Sequence, residues 1–259
     1  MRTERIGIIG GTGWLGAAFA SAMLDGAFIA PQQLWLSNRS GSHPLAETGA
    51  QLMTENQALV DACQVVIISV RPEQLEALDI DASGKLVISL MAGVSAQVIS
   101  QVTGATKVVR AMANAAVEIK QSFTPWHCAS ELTADEQGFV QQLLECVGTA
   151  SRVPTEDGID YLSALSGTGP AFPALLLTAL TRQAMAAGIP ADVAERAARG
   201  VVIGASRLLE NNDPQAMIDS LVGYRGVTAA ALQSLTDAGF DNLIGQAVHA
   251  GAEVARRGM

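Results

Sequence analysis

The chain has 259 residues, 49% of them hydrophobic, 16% charged and only 4% aromatic, which suits one large domain or two small ones around an aliphatic, alanine-rich core. The net charge of −9 speaks against nucleic acid or an anionic membrane surface as a general partner. Cys63, Cys128 and Cys146 are odd in number and far apart, so they read as reduced thiols of a cytoplasmic protein, with no disulfide framework and no metal-ligand spacing.

In chain order, Ile6-Gly7-Ile8-Ile9 reads as a strand. Gly10-Gly11-Thr12-Gly13-Trp14-Leu15-Gly16 reads as a tight turn, and Ala17-Ala18-Phe19-Ala20 as the helix after it. No charged-then-apolar leader precedes the strand, so no signal peptide is expected. Gly11, Gly13 and Gly16 satisfy a G-x-G-x-x-G spacing, and Gly10, Gly13 and Gly16 an alternative G-x-x-G-x-x-G spacing. In either reading the glycines make a tight turn, a close approach to a pyrophosphate and a close helix–strand contact. The pyrophosphate would sit on the open N–H groups of the helix start. The competing reading is a bare structural turn.

Gln33 to Ser37 reads as a second strand, ending in Asn38-Arg39-Ser40. This point lies about 20 residues past the glycines, where an acid would hold the 2′-hydroxyl of NAD. No acid is present. Arg39 with Asn38 and Ser40 suits a 2′-phosphate, so the spacing favours NADP(H) over NAD. The alternative is a polar turn with a solvated arginine.

A short helix ends at Ala58 to Cys63, and Val65 to Val70 is a continuous apolar run, the mark of a strand buried on both faces. Arg71-Pro72 stops it, and Pro72 can open a helix. Leu86 to Leu90 is another buried strand, stopped by Met91-Ala92-Gly93, with Ser95 as the cap of the next helix. Lys107 to Met112 is a fifth strand, leading to Ala113-Asn114. Strands alternating with helices predict a doubly wound parallel sheet, an α/β Rossmann-type fold with ligands beyond the carboxyl ends of its strands. The loops at residues 10–16, 37–40, 69–72, 91–93 and 112–114 are therefore expected to line one crevice. Thr133 to Val147 is a helix with a capping box between Thr133 and Glu136, and a short strand at Thr149 to Val153 closes the sheet.

From Glu156 onward no strand-like run occurs. Helices are punctuated by Pro170, Gly188-Ile189-Pro190, Asn211 to Pro214, Gly223 and Gly239, with Asp192 and Asp241 as candidate caps. The uncharged stretch Tyr161 to Thr181 is long enough to span a membrane. Ser166-Gly167-Thr168-Gly169-Pro170 and Pro173 interrupt it, so it reads as a helix buried in the protein or in a subunit interface. Helices apolar all round must be buried, which calls for a homodimer at least. The division falls near Pro154 to Asp157: residues 1–155 as a dinucleotide-binding domain, residues 156–259 as an all-α helical dimerisation and substrate domain.

With both halves read, Leu165-Ser166-Gly167-Thr168-Gly169-Pro170-Ala171-Phe172 resembles the Ser-Gly-Ser-Gly-Pro-Ala-Tyr segment of the pyrroline-5-carboxylate reductase family, followed at the expected distance by Ala187-Gly188-Ile189-Pro190. Ser69-Val70-Arg71-Pro72 resembles the family's Ala-Val-Lys-Pro loop, and Ala92-Gly93-Val94-Ser95 and Arg110 to Asn114 its fourth and fifth strand ends. The chain is identified as a divergent member of that family. The resemblance implies NADP(H)-dependent reduction of a cyclic imino acid, 1-pyrroline-5-carboxylate to L-proline, in proline biosynthesis. It also implies a homodimer or larger ring of dimers, with no nucleic acid or membrane partner. The cofactor-binding set expected from motifs and resemblance is Gly10 to Gly16, Asn38, Arg39, Ser40, Val70, Arg71, Pro72, Ala92, Gly93 and Asn114.

The chain departs from the family pattern in four places. The glycine turn is one residue longer, and its Gly-Gly-Thr-Gly form also resembles coenzyme F420-dependent NADP reductases. Ala113 replaces a proline, and Thr178 stands where an acid is usual. Gly223-Tyr224-Arg225-Gly226-Val227-Thr228 takes the place of Ser-Pro-Gly-Gly-(Thr or Ala)-Thr, which in the family receives the substrate carboxylate. Gly223, Tyr224, Arg225, Gly226 and Thr228 are therefore the candidate substrate-binding residues. Arg225 is either a carboxylate clamp or an outward loop arginine. Thr228 is the candidate catalytic residue, orienting the imine nitrogen, or else a helix N-cap; Asn114 is a nicotinamide contact or a turn residue. His43, His127 and His249 have no partner at useful spacing and read as surface or helix-face histidines. The altered loop leaves two alternatives: a reductase for a different imine or a flavin-like acceptor, and a non-catalytic NADP-binding sensor or scaffold.

Overall fold

The computed structural model describes residues 3–38 and 44–258. Two compact units emerge: residues 1–168 with 249–259, and residues 169–248.

In the first unit, among the described residues, eight strands form one sheet in the order β3-β2-β1-β4-β5-β6-β7-β8. They are β1 (Ile6–Ile9), β2 (Leu34–Ser37), β3 (Gln51–Met53), β4 (Val65–Ile68), β5 (Leu86–Ser89), β6 (Lys107–Ala111), β7 (Ser122–Cys128) and β8 (Gly148–Arg152). Pairing is parallel except between β6 and β7, where Val109 faces Cys128 and Ala111 faces Trp126 in antiparallel register. The strand order reverses between β1 and β4, which both start the parallel core. The continuous apolar runs make sense here. Ile6, Ile8, Val65 and Ile67 feed one core, while Ile9, Val66 and Ile68 feed a second on the opposite face. Helices α1 (Trp14–Asp25), α2 (Asn56–Ala62), α3 (Ala96–Thr103), α4 (Ala134–Glu145) and α5 (Glu156–Leu162) accompany the sheet.

Two strands escape the sequence reading. β3 is three residues long, and β7 carries Pro125, which argues against an interior strand. Two expected caps also move. Asp192 lies inside the first turn of α7 (Ala191–Arg199), after the N-cap Pro190, and pairs with Arg196 at 2.9 Å. Asp241 lies inside the first turn of α10 (Phe240–Arg257). Ser95 does cap α3, accepting from the Val98 N–H at 3.2 Å.

A π-turn at Ser163–Gly167 joins α5 to α6 (Ala171–Ala186). The helical run Glu156–Ala186 is long and apolar enough to cross a membrane by length and composition, and only 11% of its most apolar window is buried in the chain. In the second unit α6, α7, α8 (Pro214–Gly223), α9 (Val227–Asp237) and the start of α10 follow one another without a strand. Its buried residues are Ala194, Ala198 and Val248. The expected all-round burial is therefore not supplied by the single chain: Leu175 is 69% exposed and Leu176 50%.

Candidate dinucleotide site and substrate loop

β1 delivers the glycine turn to the carboxyl edge of the sheet. The Gly10 and Gly11 N–H groups both donate to the Ser37 carbonyl at 3.2 Å, tying the turn to the end of β2. Gly13 donates to the Gly10 carbonyl at 2.9 Å and precedes α1 as its N-cap, with no side-chain cap. The first-turn amides of Trp14, Leu15 and Gly16 thus have no intrahelical acceptor and are available to an anion. Gly10 has φ +80°, and a Cβ there would stand 2.5 Å from the Ser69 carbonyl oxygen. At Gly16 a Cβ would stand 2.5 Å from the Gly10 oxygen. A Cβ at Gly11 would stand 2.9 Å from Leu36 Cδ2 and one at Gly13 3.1 Å from the Gly10 oxygen, so all four glycines are crowded and both spacings are used.

A crevice of about 480 Å³ opens at the strand-order reversal. Gly10, Thr12, Gly13, Asn38, Val70 and Arg71 all line it. Thr54, Asn56 and Gln74 line it as well and had no motif to announce them. Ser37 Oγ donates to Asn56 Oδ1 at 2.8 Å, which joins the end of β2 to the start of α2. Among the described residues, the Arg71 guanidinium pairs with no carboxylate. Arg39, Ser40 and His43 lie outside the described residues.

The five loops do not all line this opening. Pro72 and Gly93 line a different cavity of about 440 Å³, with Arg110, Asp160 and Ala255 to Gly258. Ala92 and Asn114 line neither.

Asn114 sits just beyond β6 with its amide engaged. Oδ1 accepts from the Ala116 N–H at 2.8 Å, and Nδ2 donates to the Ser166 carbonyl at 2.8 Å. Arg110 on β6 is buried and pairs with Glu156 at 2.8 Å and Asp160 at 2.9 Å. His127 is not on a helix but on β7, its Nδ1 3.0 Å from the Val153 carbonyl. His249 is exposed on α10, 3.4 Å from Glu253. Burial pushes the Cys63 thiol up to about 12, so it stays protonated and unreactive.

The substrate-loop candidates belong to the second unit. Gly223 ends α8, Tyr224 is 83% exposed, and Arg225 has φ +46°. Gly226 precedes α9, whose N-cap carries no side-chain bond, so Thr228 is an exposed first-turn residue rather than the cap. Among the described residues Arg225 has no ion-pair partner. Thr178 donates to the Ala174 carbonyl of its own helix at 2.8 Å.

The sheet, the glycine turn and the crevice at the strand-order reversal define a dinucleotide-binding oxidoreductase joined to a helical unit. Residues 5–93 match the family model described as "NADP oxidoreductase coenzyme F420-dependent", and residues 156–258 match "Pyrroline-5-carboxylate reductase dimerisation". A pyrroline-5-carboxylate reductase of Synechocystis sp. is 28% identical over 255 residues, covering 95% of each chain. The solved pyrroline-5-carboxylate reductase of Coxiella burnetii superposes with a TM-score of 0.86 at 25% identity, covering 98% of each chain. That of Plasmodium falciparum, solved with NADP bound, shares the fold with a TM-score of 0.81 at 22% identity, covering 99% and 98%. The chain is thus similar over nearly its whole length to pyrroline-5-carboxylate reductases, and its C-terminal part matches their dimerisation domain.

Proposed function

We propose that the protein reduces a cyclic imino acid with NADPH, taking 1-pyrroline-5-carboxylate to L-proline. The observation that carries this reading is likeness along the whole chain, 28% identity over 95% of both sequences, to a protein with that activity in its name. We assign residues 1–155 to cofactor binding and 156–259 to dimerisation and substrate, in a cytoplasmic homodimer or larger ring of dimers.

The glycine turn fits a dinucleotide: Gly10 and Gly16 let the turn pack against Ser69 and against the start of α1, which brings the open first-turn amides to the crevice. In this assignment the turn from Gly10 to Gly13 cradles the pyrophosphate, and the open amides of Trp14, Leu15 and Gly16 hold it. Asn38, Arg39 and Ser40 hold the 2′-phosphate, with Arg71 as a further cation beside the crevice. Val70, Pro72, Ala92 and Gly93 contact the nicotinamide end. When bound, the nicotinamide supplies the hydride. A cyclic imine takes its proton from water near neutrality, so the site needs no strong side-chain acid. Gly223, Tyr224, Arg225 and Gly226 anchor the carboxylate, and Thr228 orients the imine nitrogen. Most of the rate comes from holding the two reactants together.

The test is NADPH oxidation by 1-pyrroline-5-carboxylate, with Thr228→Ala lowering kcat by about tenfold or more. Full turnover in Thr228→Ala removes that residue from the chemistry. Arg39→Ala narrows the preference for NADPH over NADH; equal affinity for both cofactors before and after the change defeats the NADP assignment. The Tyr224-Arg225 pair, one exposed and the other in a left-handed conformation, favours a second reading: an imine other than pyrroline-5-carboxylate. A panel of imino acids with NADPH separates the two.

A further inference from the structure

We propose that Ser37 is a positioning residue of the dinucleotide site: its buried hydroxyl fixes the Asn56 amide so that Nδ2 donates to an oxygen of the cofactor's adenosine ribose or its 2′-phosphate. This rests on the dinucleotide reading above.

Ser37 is the last residue of β2 and is only 1% exposed. Its two polar groups do separate work. The carbonyl accepts from the Gly10 and Gly11 N–H groups, a backbone contact that does not depend on the side chain. The hydroxyl is shut away from water, so its proton needs a protein acceptor. Asn56 Oδ1 is that acceptor, at 2.8 Å. Turning the amide round would set Nδ2 against Oγ and leave the buried hydroxyl proton, among the described residues, without an acceptor. The hydroxyl therefore decides which end of the amide faces which way. The consequence falls on the other end. Nδ2 has no partner among the described residues, and Asn56 lines the crevice together with Ser37, Asn38 and Thr54. Ser37 pairs with Met53 in the parallel register of β2 and β3, and Asn56 opens α2 just beyond that strand. In a doubly wound sheet the carboxyl end of the second strand receives the adenosine ribose. A ribose hydroxyl and a phosphate both offer oxygen lone pairs, which an amide N–H meets directly. Without the Ser37 hydroxyl the amide is free to turn, and Oδ1 then faces the same oxygens, which a phosphate repels.

The experiment is fluorescence titration with NADPH and with NADH of the parent protein, Ser37→Ala, Asn56→Ala and the double variant. Ser37→Ala is expected to raise the NADPH Kd about fivefold, the worth of one hydrogen bond, and less than about twofold once residue 56 is already alanine. Asn56→Ala alone is expected to raise it at least as much. An equal cost of Ser37→Ala in the two backgrounds overturns the proposal, since a purely structural role of the hydroxyl does not depend on the amide. An unchanged NADPH Kd in either single variant overturns it as well, whatever happens to the melting temperature. If the NADPH Kd rises and the NADH Kd does not, the amide serves the 2′-phosphate; if both rise alike, it serves a ribose hydroxyl, and either result supports the positioning role. Where Ser37→Ala does not fold, Ser37→Cys, similar in size and a weaker donor, is read by the same comparison in the two backgrounds. A parent protein that binds neither dinucleotide overturns the cofactor reading and this proposal with it. A parent that binds NADPH, with equal costs in the two backgrounds, overturns the proposal alone.

Discussion

Gly16 shows how little room the nucleotide turn allows. Its missing Cβ would lie 2.5 Å from the Gly10 oxygen and 3.1 Å from the Gly11 Cα, both backbone atoms that cannot step aside. Gly16→Ala is therefore expected to push α1 away from the turn and weaken NADPH binding by at least about tenfold, since the amides of the first turn lose their aim. Fluorescence titration with NADPH measures this directly; unchanged affinity would show that the turn tolerates a side chain. The glycines were legible from spacing alone, because a missing side chain is written into the sequence. What crowds each glycine was not: Gly10 stands at φ +80° against Ser69, a neighbour 59 positions away, and Gly11 lies against Leu36. Asn114 illustrates the same limit. Its residue type marked it as a turn or ligand group, but its partner, Ser166, is set by how β6 and α5 meet.

At the scale of elements, α4 was readable end to end. Thr133 Oγ1 accepts from the Glu136 N–H at 3.2 Å, and Glu136 Oε2 accepts from the Thr133 N–H at 2.9 Å. Thr133→Ala should cost about 1 kcal/mol, visible as a lower melting temperature. The Lys107 ammonium first, and then the Thr133 N–H, hold the Glu136 carboxyl below the usual carboxylate range. A depressed folded-state pKa stabilises the protein above the unfolded value and is lost as pH falls through the folded one. The melting temperatures of the parent protein and Glu136→Gln should therefore differ near neutrality and converge below about pH 4. A constant gap across that range would show that the carboxylate contributes nothing. β3 and β7 were not readable. β3 is too short to show alternation, and Pro125 removes a ladder donor from β7, which holds its place through antiparallel pairing with β6 and parallel pairing with β8.

At the scale of the molecule, the second unit has almost no interior of its own, and the chain carries a dimerisation domain over residues 156–258. Leucines as exposed as Leu175 and Leu176 suit burial in an interface between subunits. Leu176→Glu should break the assembly to a smaller species, read by sedimentation; an unchanged mass would place Leu176 outside the interface. The fold class, the glycine turn, the change from mixed to all-helical texture and the need for a partner all followed from sequence alone. Each depends on local periodicity, composition or missing side chains, which survive without coordinates. Only the tertiary structure decided which loops share the crevice, which glycine takes the left-handed turn, and that Arg110 joins Glu156 and Asp160. Those outcomes depend on strand order and on contacts between residues distant in the chain, which no local pattern encodes.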